Sequence, residues 1–349
     1  MSLLERLRAE IAQTGPLSVA EYMHRCLHDP QDGYYATRPA LGADGDFITA
    51  PLVSQMFGEL LGLWAVETWR RMGSPGRVQL VEVGPGDGTL MSDMLRATKV
   101  SPEFAAAAEV WLVETSEPLR AKQRERLGNV NWVRVPPELP SGAPVILIAN
   151  ELLDCLPAAQ FVRTERGWAE RMVGASDEGL ELGLRPIALP NTPDAPLGVV
   201  YERSPAQEAF GQTVGELIAR EGGAALLIDY GRAEPAFGDT LQALKRHKKV
   251  DPLACPGEAD LTVHADFPSV LTAARQAGVE TAILTQGEFL RRLGIEHRAA
   301  VLTGAHPDRA ETLHRQLDRL TAPDQMGELF KAACIHSPGL TPPGFEEVS

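Results

Sequence analysis

The chain has 349 residues, 44% of them hydrophobic and 23% charged, with 33 Lys and Arg against 47 Asp and Glu. That mixture can bury a large core and excludes a disordered tail or a fibre. The net charge of −14 argues against a nucleic-acid groove, because such a surface clusters Lys and Arg and the single basic cluster is Lys245 to Lys249.

The opening MSLLERLRAEIAQTG sets Glu5 and Glu10 among its arginines and has no apolar core before a cleavage site, so a cytoplasmic protein is expected. Leu3, Leu7 and Ile11 fall at helical spacing, and Gly15-Pro16 stops that helix. Ser18 and Glu21 form a capping box for a second helix that closes at Asp29-Pro30, followed by a turn at Gly33-Tyr34-Tyr35. Residues 36–50 read as a glycine-rich loop, and Pro51 opens a long helix through Arg71. The first 76 residues therefore read as a helical region, separate from a second domain over 77–349.

From Arg77 onward short apolar runs alternate with amphipathic segments, the pattern of parallel strands buried between helices. The runs are Val78–Val83, Val110–Val113, Trp132–Val135, Val145–Ala149, Ala224–Asp229, Glu280–Leu284 and Phe330–Ile335. Helices are expected near 88–98, 116–127, 204–221, 266–277 and 307–320, giving a doubly wound, mostly parallel seven-stranded α/β sheet. About 75 residues separate the fourth and fifth runs, too many for one crossover. An insertion at about 155–222 is expected there, with an antiparallel meander over 160–186 and a proline-rich linker over 187–196. No apolar run approaches the ~20 residues of a membrane span. Cys26, Cys155, Cys255 and Cys334 are scattered without a CxxC pair, so neither a disulfide framework nor a metal site is expected.

The sharpest motif is Val83-Gly84-Pro85-Gly86-Asp87-Gly88-Thr89, where a strand turns into a helix. Glycines let a ligand approach the backbone, and the helix start offers free amides. The spacing is GxGxG, not the dinucleotide GxGxxG, and Asp87 would repel a pyrophosphate. That favours an adenosyl ligand without phosphates over NAD; the bland alternative is a glycine turn with no ligand. Glu114 lies 28 residues beyond Gly86 at the tip of the next strand, placed for ribose hydroxyls. Asn150, Glu151 and Asp154 follow the fourth strand, and Asp229-Tyr230 ends the fifth.

These residues, Gly84 to Leu90 with Glu114 and Ala149-Asn150-Glu151-Leu152-Leu153-Asp154, resemble the class I S-adenosylmethionine-dependent methyltransferases. More narrowly the chain resembles the MidA family. The stretches carrying that likeness are Gly33-Tyr34-Tyr35, Gly45 to Pro51 with Ser54 to Glu59, Asp229-Tyr230-Gly231 with Gly238 to Leu241, and Pro256 to Phe267. The resemblance implies a Rossmann-like fold and S-adenosyl-L-methionine as cofactor, leaving S-adenosyl-L-homocysteine. It also implies a protein arginine acceptor, symmetrically dimethylated, on the quinone-proximal core subunit of complex I. Gly84, Pro85, Gly86, Asp87, Gly88, Thr89, Glu114, Thr115, Asn150, Glu151 and Thr49 are then the expected cofactor residues.

A guanidinium must be held by carboxylates before one nitrogen attacks a sulfonium methyl. Glu151 and Asp154 are expected to clamp it, with Asp46 or Asp229 as second anchor and Tyr230 or His264 shaping the pocket. Residues 42–51 are expected to close over the cofactor. An assembly chaperone using the cofactor structurally, and a small-molecule methyltransferase, remain as rivals. The reading leaves a homodimer open and expects neither membrane insertion nor nucleic acid.

Overall fold

The computed structural model describes residues 1–37, 49–177, 179–189, 192 and 194–347. Among them the strands are, in chain order, β1 (Leu17–Ser18), β2 (Val78–Val83), β3 (Ala108–Val113), β4 (Asn131–Val133), β5 (Val145–Asn150), β6 (Ala159–Thr164), β7 (Gly167–Ser176), β8 (Gly179–Pro186), β9 (Val200–Arg203), β10 (Gly223–Arg232), β11 (Gln242–Lys245), β12 (Lys248–Val250), β13 (Asp260–Thr262), β14 (Ala265–Asp266), β15 (Glu280–Thr285) and β16 (Phe330–His336). They fall into two compact units.

The first unit comprises Met1–Phe47, Leu153–Gln207 and Glu234–Asp266. This differs from the division expected from sequence: the N-terminal helices do not stand apart but share a core with the insertion. The reason lies in β1, a two-residue strand that pairs antiparallel with Val173 and Met172 of β7, and in Leu7, Tyr22, Met23 and Leu27, which are buried against Val173, Leu261 and Val263. The helices Leu3–Thr14 and Val19–His28 begin on capping boxes, Ser2 with Glu5 and Ser18 with Glu21, so backbone amides at each N-terminus are met locally. The turn expected at Gly33-Tyr34-Tyr35 is instead a short helix, Tyr34–Thr37.

The expected meander is present as β6, β7 and β8, with a turn at 165–166 between the first two. In the sheet β7 pairs with β1, β6 and β8, and β6 pairs with β9. A second, three-stranded sheet in the order β12-β11-β13 was not expected from sequence. Its tight turn runs through Arg246 and His247, both left-handed at φ 52° and 61°, without the Gly or Asn that marks such turns.

The second unit comprises Ile48–Leu152, Glu208–Ala233 and Phe267–Ser349. Its seven strands lie in the order β15-β16-β10-β5-β2-β3-β4. All neighbours are parallel except β16, which runs antiparallel to both β10 and β15. β2 is buried along its whole length and β5 along all but its last residue, which is why β5 reads as an unbroken apolar run and β2 as one interrupted only by Gln79 and Glu82. The long helix expected from Pro51 to Arg71 is broken at Ser54, which adopts an extended conformation (φ −159°, ψ 138°) between helices Ala50–Val53 and Gln55–Arg71. There the Ser54 hydroxyl accepts a hydrogen bond from Met56 N and starts the second helix anew. Helix Gln55–Arg71 packs tightly on helix Thr89–Thr98: a Cβ on Gly62 would stand 2.6 Å from the Met94 carbonyl oxygen. Among the described residues no helix is long and apolar enough to cross a membrane.

Candidate active site

The order of the seven strands reverses at β2, whose neighbours are β3 on one side and β5 on the other, so the crevice beyond their carboxyl ends is where an open α/β sheet binds ligands. At the end of β2 the chain turns through Gly84, Gly86 and Gly88, all left-handed at φ 68°, 54° and 83°. Side chains there would be strained, and a Cβ on Gly84 would also stand 3.0 Å from Leu152 Cδ1. Gly88 N donates to Pro85 O at 2.8 Å, closing the turn, and helix Thr89–Thr98 starts at once.

Asp87 is not the bare charge that its sequence position suggested. Its Oδ1 accepts from Thr89 N at 3.0 Å and from Thr89 Oγ1 at 2.7 Å, while Oδ2 pairs with Arg126 at 2.9 Å. Arg126 also donates to Thr89 Oγ1. The carboxylate therefore caps the helix start, and Arg126 offsets its charge.

Glu114, buried at the tip of β3, holds its own loop: Oε1 accepts from Thr115 N and Ser116 N, both at 2.7 Å. Burial raises its pKa above the ordinary value, and these two amides partly counter that. Oε2 receives Gln123 Nε2 at 3.4 Å. Gln123 is wholly buried; the same Nε2 donates to Gly86 O at 2.7 Å, and its Oε1 accepts from Trp132 Nε1 at 2.8 Å. One amide thus ties the glycine turn to the β3 tip. Sequence reasoning missed it, although its position four residues after Leu119 sets a polar group on the buried stripe of helix Glu117–Leu127.

At the end of β5, Glu151 is left-handed at φ 50°, an uncommon conformation for a residue with a side chain. It is fastened there: its N donates to Ile228 O at 2.8 Å, and its Oε1 accepts from Ala50 N at 3.0 Å and Asn150 Nδ2 at 3.1 Å. Thr49 immediately precedes that amide as the extended N-cap of helix Ala50–Val53. Asn150 Oδ1 is buried with no hydrogen-bond partner among the described residues. Glu82, which sequence reading passed over, sits inside β2 with Oε2 in the same condition. Burial first, and the neighbouring Asp87 second, push its pKa from 4.5 up to about 8, so it is mainly protonated at neutral pH.

Two further expected site residues are buried in β10. Asp229 accepts from Tyr230 N at 2.8 Å, and the Tyr230 ring lies 5.4 Å from that of Phe330. Asp154 and His264 belong to the first unit, where the Asp154 carbonyl oxygen accepts from Val263 N at 2.9 Å and His264 N donates to Thr240 Oγ1 at 2.9 Å. Asp46, and residues 42–48 of the segment expected to close over the cofactor, lie outside the described residues.

The left-handed glycine turn at the β2 tip, Glu114 at the β3 tip and Glu151 at the β5 tip stand at the carboxyl ends of adjacent strands, where an open α/β sheet binds its ligand. Together with the strand order this sets the chain in the class of doubly wound α/β proteins that bind a ligand at a topological switch point. A profile of the family described as "Putative S-adenosyl-L-methionine-dependent methyltransferase" matches residues 60–285. A Drosophila melanogaster protein, "Protein arginine methyltransferase NDUFAF7 homolog, mitochondrial", is 37% identical over 95% of this chain and 84% of its own. The Homo sapiens protein of the corresponding name is 34% identical over 94% and 82%. A COG1565 superfamily member from Burkholderia thailandensis, solved with S-adenosyl-homocysteine bound, superimposes with a TM-score of 0.84 at 30% identity, covering 99% of this chain and 93% of that one. The chain belongs to this family of S-adenosylmethionine-dependent methyltransferases, the MidA family that its motifs resemble.

Proposed function

We propose that the methyl acceptor is an arginine side chain of a protein. The observation that carries the proposal is Glu151, a carboxylate held in a strained backbone conformation at the β5 tip, beside the glycine turn. The names of the curated relatives point the same way. The bound cofactor supplies an electrophilic methyl on a sulfonium; what the protein must add is position and charge. On this reading Gly84, Pro85, Gly86, Asp87, Gly88 and Thr89 form the cradle. Glu114 and Thr115 face the ribose, while Asn150, Glu151 and Thr49 border the reacting end. Glu151 orients the guanidinium and keeps its charge paired, Asp154 completes the clamp, Asp229 or Asp46 anchors from a second side, and Tyr230 or His264 shapes the pocket.

Symmetric dimethylation of a core subunit of respiratory complex I, in a bacterial cytoplasm, is the proposed setting. Supplied with S-adenosylmethionine and an arginine-bearing protein, Glu151→Gln is expected to keep S-adenosylhomocysteine binding, measured by titration calorimetry, and to lose transfer. Full transfer by that variant would end the clamp assignment. Unaltered methyl-arginine in the proteome of cells lacking the protein, read by mass spectrometry, would end the acceptor assignment.

A further inference from the structure

β8 is an edge strand, and among the described residues it pairs only with β7. Its register with β7 fixes which backbone groups point outward. Ile187 N donates to Trp168 O at 3.1 Å, so residues 185, 183 and 181 share its bonded parity toward β7, whereas Leu180, Leu182 and Leu184 turn their N–H and C=O groups to the open edge. On that edge Leu182 is 50% and Leu184 53% exposed, an arrangement that soluble proteins normally blunt with charge or a covering element. Pro186, which has no N–H to offer, ends the strand.

The sequence Glu181-Leu182-Gly183-Leu184-Arg185 reads as its own complement about Gly183. Turned antiparallel against a second copy with Gly183 on the two-fold axis, Leu182 of one strand faces Leu184 of the other, and Glu181 faces Arg185. The two leucine pairs then have the outward parity, and each exchanges two backbone hydrogen bonds. Arg185 already pairs with Glu170 on its inner side at 2.5 Å, and would lie between two carboxylates. Glu181 lies opposite Gly174 in its own sheet and has no ion pair among the described residues. A shift of register by one residue forfeits both charge pairs.

We propose that β8 is the interface of a homodimer, formed by antiparallel pairing of two β8 strands about Gly183. The self-complementary charges single out a second copy of this chain over an unrelated strand, which would have no reason to match both Glu181 and Arg185. Gly183 has open space where a Cβ would be, so Gly183→Cys leaves the protomer undisturbed. In a Cys255→Ser background, which removes the one cysteine that is not fully buried, it is expected to form a symmetric intermolecular disulfide under mild oxidation. Single cysteines at 181 or 185 should fail to cross-link alone and should cross-link when the two variants are mixed. Glu181→Arg, which replaces two opposite-charge pairs per dimer with like-charge pairs, should raise the dimer dissociation constant about tenfold in sedimentation equilibrium. A monomer throughout the micromolar range overturns the proposal, whether or not the edge captures an added peptide strand. So does a dimer in which Gly183→Cys stays uncross-linked.

Discussion

Glu82 offers the sharpest quantitative test, because its side chain is buried in a parallel strand near Asp87 and Oε2 has no partner among the described residues. Its pKa in the folded chain is about 8, against 4.5 for an ordinary glutamate. A raised folded-state pKa means that folding takes up a proton between these values, so the stability from this group is complete below about pH 4.5 and is lost as pH climbs through about 8. At about 1.4 kcal/mol per pH unit the loss across that window is ~5 kcal/mol. Glu82→Gln keeps the shape and cannot ionise. Its urea unfolding free energy, followed from pH 5 to pH 8.5, should fall less steeply than that of the parent by about 1 kcal/mol per unit. The difference between the two curves matters, since other groups titrate in both proteins. Parallel curves would refute the reasoning, and so would a Gln variant that is less stable at pH 8.5 than the parent.

Gln123→Leu should weaken S-adenosylhomocysteine binding by about tenfold or more in calorimetry, since it unties Gly86 from Glu114 and leaves Trp132 Nε1 without its acceptor. Glu151→Gly and Glu151→Ala lose the same carboxylate, yet the glycine variant should unfold at about 1 kcal/mol higher free energy, because only glycine accepts φ 50° without strain. Equal stabilities would show that the backbone there is unstrained. Gly62→Val should cost about 3 kcal/mol or more in a urea melt, as the new side chain meets the Met94 backbone at the contact between two helices.

What could be read in the sequence was whatever the chain decides locally. The central strands of the mostly parallel sheet stood out because a strand buried on both faces is apolar along most of its length, as Val145 to Ala149 is. The glycine turn was equally plain, since left-handed backbone strongly favours glycine. What escaped notice depends on contacts far apart along the chain. β1 has two residues, too few for any periodicity, and exists through its pairing with Met172 and Val173. The β11–β12 turn uses Arg246 and His247 where glycine or asparagine would have announced it. Ser54 breaks a helix in a stretch whose hydrophobic spacing runs on unchanged. In the site, Gln123 reaches Gly86 across 37 residues, and Glu82 looks like one polar interruption of an apolar run.

The placement of the acids also changes how the net charge of −14 should be understood. Several carboxyls near the strand tips are committed to the chain itself. Asp87 faces Arg126, Glu114 holds two amides, Asp229 accepts from Tyr230 N, and Glu82 is mainly protonated. A steering field made of paired or neutral groups is weak, and salt screens what remains over about 10 Å at 0.1 M. If arginine recognition depends on Glu151 at contact distance, kcat/KM for an arginine peptide should change by less than about threefold between low salt and 0.3 M. Glu151→Gln should remove most of it at every salt concentration. A steep decline of the parent rate with salt, left unchanged in slope by Glu151→Gln, would mean that the acidic surface and not the β5 tip selects the substrate.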